Sequence, residues 1–262
     1  MPRAKRYPGR KVHNKRYKNH IMHLVTTYVR YGLTLGVYSD GFDKFIRILK
    51  NRIRKKLQNV IVIEGDTGSG KSTIGIEIAY ALAEALGVEF DLRKDMVYAL
   101  DDLWVKLDDD KASPISLLDE GSVSLNSLNS RRSGDRDAVV LLDTMRSRGW
   151  TTIIIMPSIK NLNASVRRVH VNYVIECSSI DNPFVKGYTR GFFEVKDRRE
   201  SKKRRNDPDP WWNVLFTGIF SPLDESIDKE YQAIKLKRQM GLIDDMKKRN
   251  RGKDRNVVEA PA

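Results

Sequence analysis

The chain has 262 residues, is 40% hydrophobic, and carries a formal net charge of +14. Its single cysteine, Cys177, excludes an internal disulfide framework, and its four histidines (13, 20, 23 and 170) show no metal-ligand spacing with it. No apolar run approaches the roughly 20 residues of a membrane span, and the basic N-terminus lacks the apolar stretch of a secretory signal, so a cytoplasmic protein is expected.

The charge sits at the ends. Residues 1–20 hold eight Lys/Arg and no acid, residues 196–262 hold 17 Lys/Arg against 12 Asp/Glu, and 21–195 is close to neutral. A near-neutral domain with basic extensions suits a polyanion, and nucleic acid rewards clustered cations through counterion release. Residues 1–20 read as a disordered basic arm, with Tyr7 and Tyr17 interleaved where bases could stack. Residues 21–38 carry no clear period. From Asp40, the residues Phe42, Phe45, Leu49, Ile53 and Leu57 trace a helical stripe, with Arg47, Arg52, Arg54, Lys55 and Lys56 covering much of the rest. Val60–Ile63 is a β-branched run suited to a buried parallel strand. After it, Ile74, Ile78, Ala81, Leu82 and Ala85 recur at helical spacing, and Gly87 supplies a stop.

Further strands are expected at Met96–Leu100, Ile115–Leu118 and Thr151–Met156, with a short helix near 102–108 between the first two. A polar stretch, 121–134, precedes a helix capped by Asp135 or Asp137 and ended by Gly149. Alternation over 169–175 and 188–195, around Asp181-Asn182-Pro183, predicts a hairpin or two consecutive strands. Trp211, Trp212, Val214, Phe216, Ile219 and Phe220 form an apolar island, and a basic helical tail is expected over about 226–250. Strands alternating with helices imply an α/β fold with a mostly parallel, doubly wound sheet and flanking helices. The expected organisation is a basic arm (1–20), a lead-in helical segment (21–58), a core (59–195) and a basic C-terminal extension (196–262).

Between the first strand and its helix lies Gly65-Asp66-Thr67-Gly68-Ser69-Gly70-Lys71-Ser72-Thr73, which fits G-x-x-x-x-G-K-[ST]. Glycines let backbone N–H groups close around phosphate oxygens, and the helix that starts there presents its positive end to the same anion. Lys71 can reach the β- and γ-phosphates and Ser72 can hold Mg²⁺, so ATP with Mg²⁺ is the expected ligand. Leu117-Leu118 delivers Asp119 to a strand end, where it can order the Mg²⁺ shell, and Glu120 can accept a proton from attacking water. Cys177, in an apolar alternating run, reads as a small buried hydrophobe rather than a nucleophile.

A phosphate loop, one intervening strand, Asp119-Glu120, then a strand ending in a polar residue resembles the additional-strand P-loop ATPases. Within them residues 59–177 most resemble the FtsK–HerA DNA-pumping group, which includes viral packaging ATPases and zonular-occludens-toxin-like phage proteins. The resemblance implies nucleotide contacts for Gly65, Gly70, Lys71, Ser72 and Thr73, a Mg²⁺ role for Asp119 and water activation by Glu120. Where that group often has a Gln sensor this chain has Pro157-Ser158, making Ser158 the sensor candidate. Such ATPases act as rings with an arginine finger in trans, for which Arg131, Arg132, Arg167 and Arg168 are candidates. The implied function is an ATP-hydrolysing motor on double-stranded DNA, packaging or translocating the genome of a virus or plasmid, with a capsid or membrane-complex protein as a further partner. The alternatives are a helicase or other remodelling ATPase, a small-molecule kinase, or a slow nucleotide-gated DNA-binding adaptor. Glu120 argues against the adaptor, and the lack of a recognisable acceptor pocket argues against the kinase.

Overall fold

The computed structural model describes residues 22–29, 32–38, 40–109, 112–119, 134–178, 192–199, 211–220 and 222–257. In chain order the elements are β1 (Met22–Val29), β2 (Gly32–Tyr38), α1 (Asp40–Arg54), β3 (Asn59–Gly65), α2 (Lys71–Leu86), α3 (Leu92–Asp95), β4 (Met96–Val97), α4 (Leu100–Asp108), β5 (Ile115–Leu118), α5 (Gly134–Arg148), β6 (Thr151–Ile155), a 3₁₀ turn (Ile159–Asn161), α6 (Ala164–Val169), β7 (Tyr173–Ser178), β8 (Phe192–Arg199), β9 (Trp211–Ile219) and α7 (Glu225–Val257). Two compact units divide between Pro222 and Leu223.

In the first unit, the strands make one sheet in the order β2-β1-β9-β8-β7-β3-β6-β5-β4. The five strands from β7 to β4 are parallel, and β8, β9, β1 and β2 extend that sheet with antiparallel pairings. β3 is central because both its faces are apolar: Val60, Ile61, Val62 and Ile63 are all fully buried. Val60 and Val62 join Leu118, Ile154 and Val174 in a cluster with Leu141, Leu142 and Met145 of α5 and Val166 of α6. On the opposite face α2 comes close to the sheet at Gly75, where an added Cβ would stand 3.1–3.2 Å from methyls of Ile63, Leu117 and Ile155. Helices therefore cover both faces, as a doubly wound α/β sheet requires. Burying each such Ile, Leu or Val contributes about 1.5–3 kcal/mol of transfer free energy.

The lead-in helix forms as its stripe predicts, with Phe42, Phe45, Ile46 and Leu49 buried. It stops at Arg54, so Leu57 leaves the stripe and is exposed. Part of the basic face is structural: Arg52 donates from Nε to Asn59 Oδ1 and from Nη2 to Gln58 O, both at 2.8 Å. Residues 22–38, patternless in sequence, form a β-hairpin, β1–β2. The aromatic island becomes β9, paired with both β8 and β1. The strand expected over 96–100 is only two residues long, because the Asp102 carboxylate accepts from the N–H groups of Tyr98 and Ala99 and turns the chain into α4. Val169, expected to begin a strand, ends α6 and is exposed; Asn163 caps that helix, accepting from Ser165 N at 2.7 Å and Val166 N at 3.3 Å.

The second unit is α7, whose 33 residues correspond to a rod of about 50 Å. Asp224 Oδ1 accepts from Ser226 N at 3.0 Å, Glu225 and Asp228 sit in its first turn, and Lys229 Nζ pairs with Glu225 Oε1 at 2.6 Å. Among the described residues, no helix is long and apolar enough to cross a membrane. The basic arm, the polar stretch 121–133 and the Asp181–Pro183 connection lie outside the described residues.

Candidate functional site

The loop between β3 and α2 is shaped by glycines that nothing else could replace. Gly65 has φ 143°, and a Cβ there would stand 2.1 Å from Cys177 O on β7. Gly70, at φ 92°, is the left-handed N-cap of α2, and its carbonyl accepts from Ile74 N at 3.1 Å. The loop thus runs directly into the N-terminus of a 16-residue helix, the kind of end that favours an anion. Asp66, Thr67 and Gly68 are exposed, Gly70, Lys71, Ser72 and Thr73 are half-buried, and Ser69 is fully buried beneath the loop. The Lys71 ammonium donates to Gly65 O and Asp66 O, each at 2.7 Å, so the cation lies on the loop where phosphate would be held.

β5 delivers Asp119 to the same place. Asp119 is 2% exposed, and its backbone N–H donates to Val97 O on β4 at 3.1 Å. Ser72 Oγ donates to Asp119 Oδ1 at 3.3 Å, joining residues 47 apart in sequence. A hydroxyl and a carboxylate side by side under a phosphate loop are hard oxygen donors, the set that Mg²⁺ takes together with substrate phosphates. The described residues contain no cluster of three or more His, Cys, Asp or Glu that would cage a metal unaided.

The segment after β6 is stapled to the loop. Gly65 N donates to Pro157 O at 3.3 Å, and Glu64 Oε2 accepts from Ile159 N at 2.6 Å. Ser158 therefore stands beside the phosphate loop, half-buried, with Oγ accepting from Lys160 N at 3.3 Å to cap the 3₁₀ turn. Glu64 is the residue that sequence reasoning missed, since an acid ending an apolar strand looks like the start of an exposed loop. Arg167 turns back on its own segment, donating from Nη1 to Lys160 O at 3.2 Å and reaching Ile159 O and Leu162 O at 3.5 Å. Arg168 is exposed. Glu120, Arg131 and Arg132 lie outside the described residues. Burial pushes the Cys177 thiol up to about 12, so it stays protonated and inert.

β6 lies between β3 and β5, so one additional strand separates the phosphate loop from Asp119. The chain has a P-loop NTPase fold. No family profile and no curated protein matches it. Among solved structures, it is similar to the genome packaging NTPase B204 from Sulfolobus turreted icosahedral virus 2, at 15% identity over 63% of this chain and 98% of that one, with a TM-score of 0.40. It is also similar to the N-terminal domain of zonular occludens toxin from Neisseria meningitidis, at 14% identity over 65% of this chain and 97% of that one, with a TM-score of 0.36. A chain of the E. coli MS115-1 HORMA:CdnC:Trip13 complex matches at 14% identity and a TM-score of 0.38; there 53% of this chain covers 62% of the other's length. These likenesses are distant, and the P-loop fold rests on strand order and loop geometry.

Proposed function

We propose that the chain is an ATP-hydrolysing motor that moves double-stranded DNA, as in genome packaging for a virus or plasmid, and that it works as a homo-oligomeric ring. The observation that carries the reading is the Ser72–Asp119 contact at 3.3 Å beneath the phosphate loop, with one strand between the two parent strands. The loop N–H groups and Lys71 bind the triphosphate. Ser72 and Asp119 hold Mg²⁺, which when bound offsets charge on the β- and γ-phosphates. Glu120, next in the chain after Asp119, takes the proton from attacking water. Ser158, tied in place beside Gly65, monitors the γ-phosphate end of the site. An arginine from a neighbouring subunit, one of Arg131, Arg132, Arg167 or Arg168, completes the charge stabilisation.

The DNA part of the reading is supported by charge. The 25 Lys/Arg of residues 1–20 and 196–262 flank a core that is close to neutral. Displacement of a third strand from a triplex on linear duplex DNA tests it. A motor displaces that strand only with ATP and Mg²⁺, and the Lys71→Ala protein does not. Hydrolysis without displacement, by a species that sediments as a monomer, contradicts the motor and leaves a remodelling ATPase.

A further inference from the structure

Resting on the nucleotide reading above, we infer that Glu64 is a positioning residue for hydrolysis: its carboxylate holds the turn that carries Ser158 against the phosphate loop, and so sets turnover without adding to nucleotide affinity. The need for such a tie follows from the backbone. β3 and β6 form a parallel ladder that reaches Met156 N, which donates to Ile63 O at 3.0 Å. Carbonyls two residues apart on a strand point the same way, so Gly65 O is the next acceptor on that side. It is taken by the Lys71 ammonium at 2.7 Å. Gly65 N donates to Pro157 O at a longer 3.3 Å, and Pro157 has no N–H to give back.

Glu64 spans the gap that this leaves. Side chains alternate along a strand, so Glu64 lies on the same face as Val60 and Val62, the face that α5 and α6 cover. Its Oε2 accepts from Ile159 N at 2.6 Å, a charge-assisted bond to the first N–H of the 3₁₀ turn. The turn is closed on itself. Lys160 N donates to Ser158 Oγ at 3.3 Å and Asn161 N to Ser158 O at 3.0 Å. Arg167 Nη1 gathers the carbonyls of Ile159, Lys160 and Leu162 at 3.2–3.5 Å. Ser158 therefore moves with the turn, and the Glu64 carboxylate fixes the turn relative to the residue next to it in the chain, Gly65. A displacement of about 1 Å at a group facing the reacting end of a substrate can cost about 10²-fold in rate. The phosphates themselves are held by the loop and Lys71, so affinity does not depend on this tie.

The competing role is a cap and nothing more, the turn being held by burial of Ile159 and Leu162. Phosphate release from Mg²⁺-ATP by the full chain, beside calorimetry with a non-hydrolysable ATP analogue, separates the two. Glu64→Leu removes the acceptor; it should lower kcat about tenfold or more while affinity for the analogue stays within about twofold. Glu64→Gln keeps an oxygen acceptor in the same place and should restore most of kcat. Glu64→Asp keeps the charge but withdraws the carboxylate by about 1.5 Å, so it should behave like Glu64→Leu, which covers the case in which the leucine variant fails to fold. In a Ser158→Ala background, Glu64→Leu should cost no more than about twofold, because the group it positions is gone. Unchanged kcat in Glu64→Leu and Glu64→Asp, affinity falling in step with kcat, or a tenfold loss that persists in the Ser158→Ala background overturns the proposal. Failure of the nucleotide reading looks different: the unsubstituted protein would then not bind the analogue, or Lys71→Ala would bind it unchanged.

Discussion

Lys71 and Ser72 are adjacent at the start of α2, and the helix geometry gives them different tasks. Lys71 turns back over the loop to Gly65 O and Asp66 O, whereas Ser72 points towards Asp119. On the proposed reading Lys71 is the fixed cation beside the γ-phosphate, so Lys71→Ala should lower kcat for ATP hydrolysis by about 10²–10³ or more, measured as phosphate release. Glu120→Gln keeps the shape and removes the proposed base; it should retain nucleotide binding in calorimetry and lose turnover. Normal turnover by that variant would give water activation to another residue. At this scale the sequence was informative where a backbone conformation demanded one residue type. Gly65 and Gly70 occupy positive φ with no room for a Cβ, and Lys71, Ser72 and Asp119 follow from their spacing and strand context. Glu64 and Phe220 were not legible, because each acts on a partner distant in the chain, Ile159 and Gly70 respectively. No local period marks such a pairing.

Elements with a strong period were legible for a similar reason. β3, β5, β6, α2 and α5 each place buried side chains at the spacing their geometry requires, and the structure finds them within a few residues of expectation. Side-chain hydrogen bonds moved the rest. Asp102 cut β4 short and Asn163 converted a predicted strand start into α6, whereas backbone pairing with β8 and with distant β1 made β9 a strand. α4 also carries a buried cation, Lys106, whose Nζ pairs with Asp95 Oδ1 at 2.8 Å and donates to Ile115 O and Ser116 Oγ. Burial holds the Lys106 ammonium below, and the Asp95 carboxyl above, their usual ranges, although each favours the other's charge. Lys106→Met should therefore cost about 3–5 kcal/mol in chemical denaturation by leaving Asp95 buried and unpaired, and adding Asp95→Leu should recover much of it.

His170, just after α6, gives the fold a pH dependence with a definite sign. It is buried, and desolvation holds its imidazole below the usual 6.5; Asp143 opposes that shift, while Arg146 and Arg198 add to it. The unfolded chain therefore takes up this proton more readily than the folded one. Stability should fall as pH drops below about 6.5 and stop falling once the folded imidazole is itself protonated. Denaturation midpoints of the His170→Gln protein between pH 7.5 and 5 should show a shallower decline than those of the unsubstituted chain. Parallel curves would mean that His170 contributes nothing to the acid dependence.

For the whole molecule, the distribution of charge makes the claim that a single site cannot. Residues 1–20 carry eight cations and no acid, and they precede β1 in sequence. Deleting 1–20 removes eight cations and should weaken DNA binding at every sequence. Log affinity should fall less steeply with log salt, by about 0.9 for each duplex phosphate that the arm had neutralised. Basal ATP hydrolysis should change little while its stimulation by DNA falls. An unchanged salt slope would move the DNA-binding surface to residues 196–262. The central claim, an ATPase whose turnover is coupled to duplex DNA, is tested most directly by phosphate release from Mg²⁺-ATP with and without linear double-stranded DNA, run beside Lys71→Ala. Turnover that rises severalfold with duplex DNA and vanishes in Lys71→Ala is the expected result. Turnover indifferent to DNA, or surviving in Lys71→Ala, would contradict it.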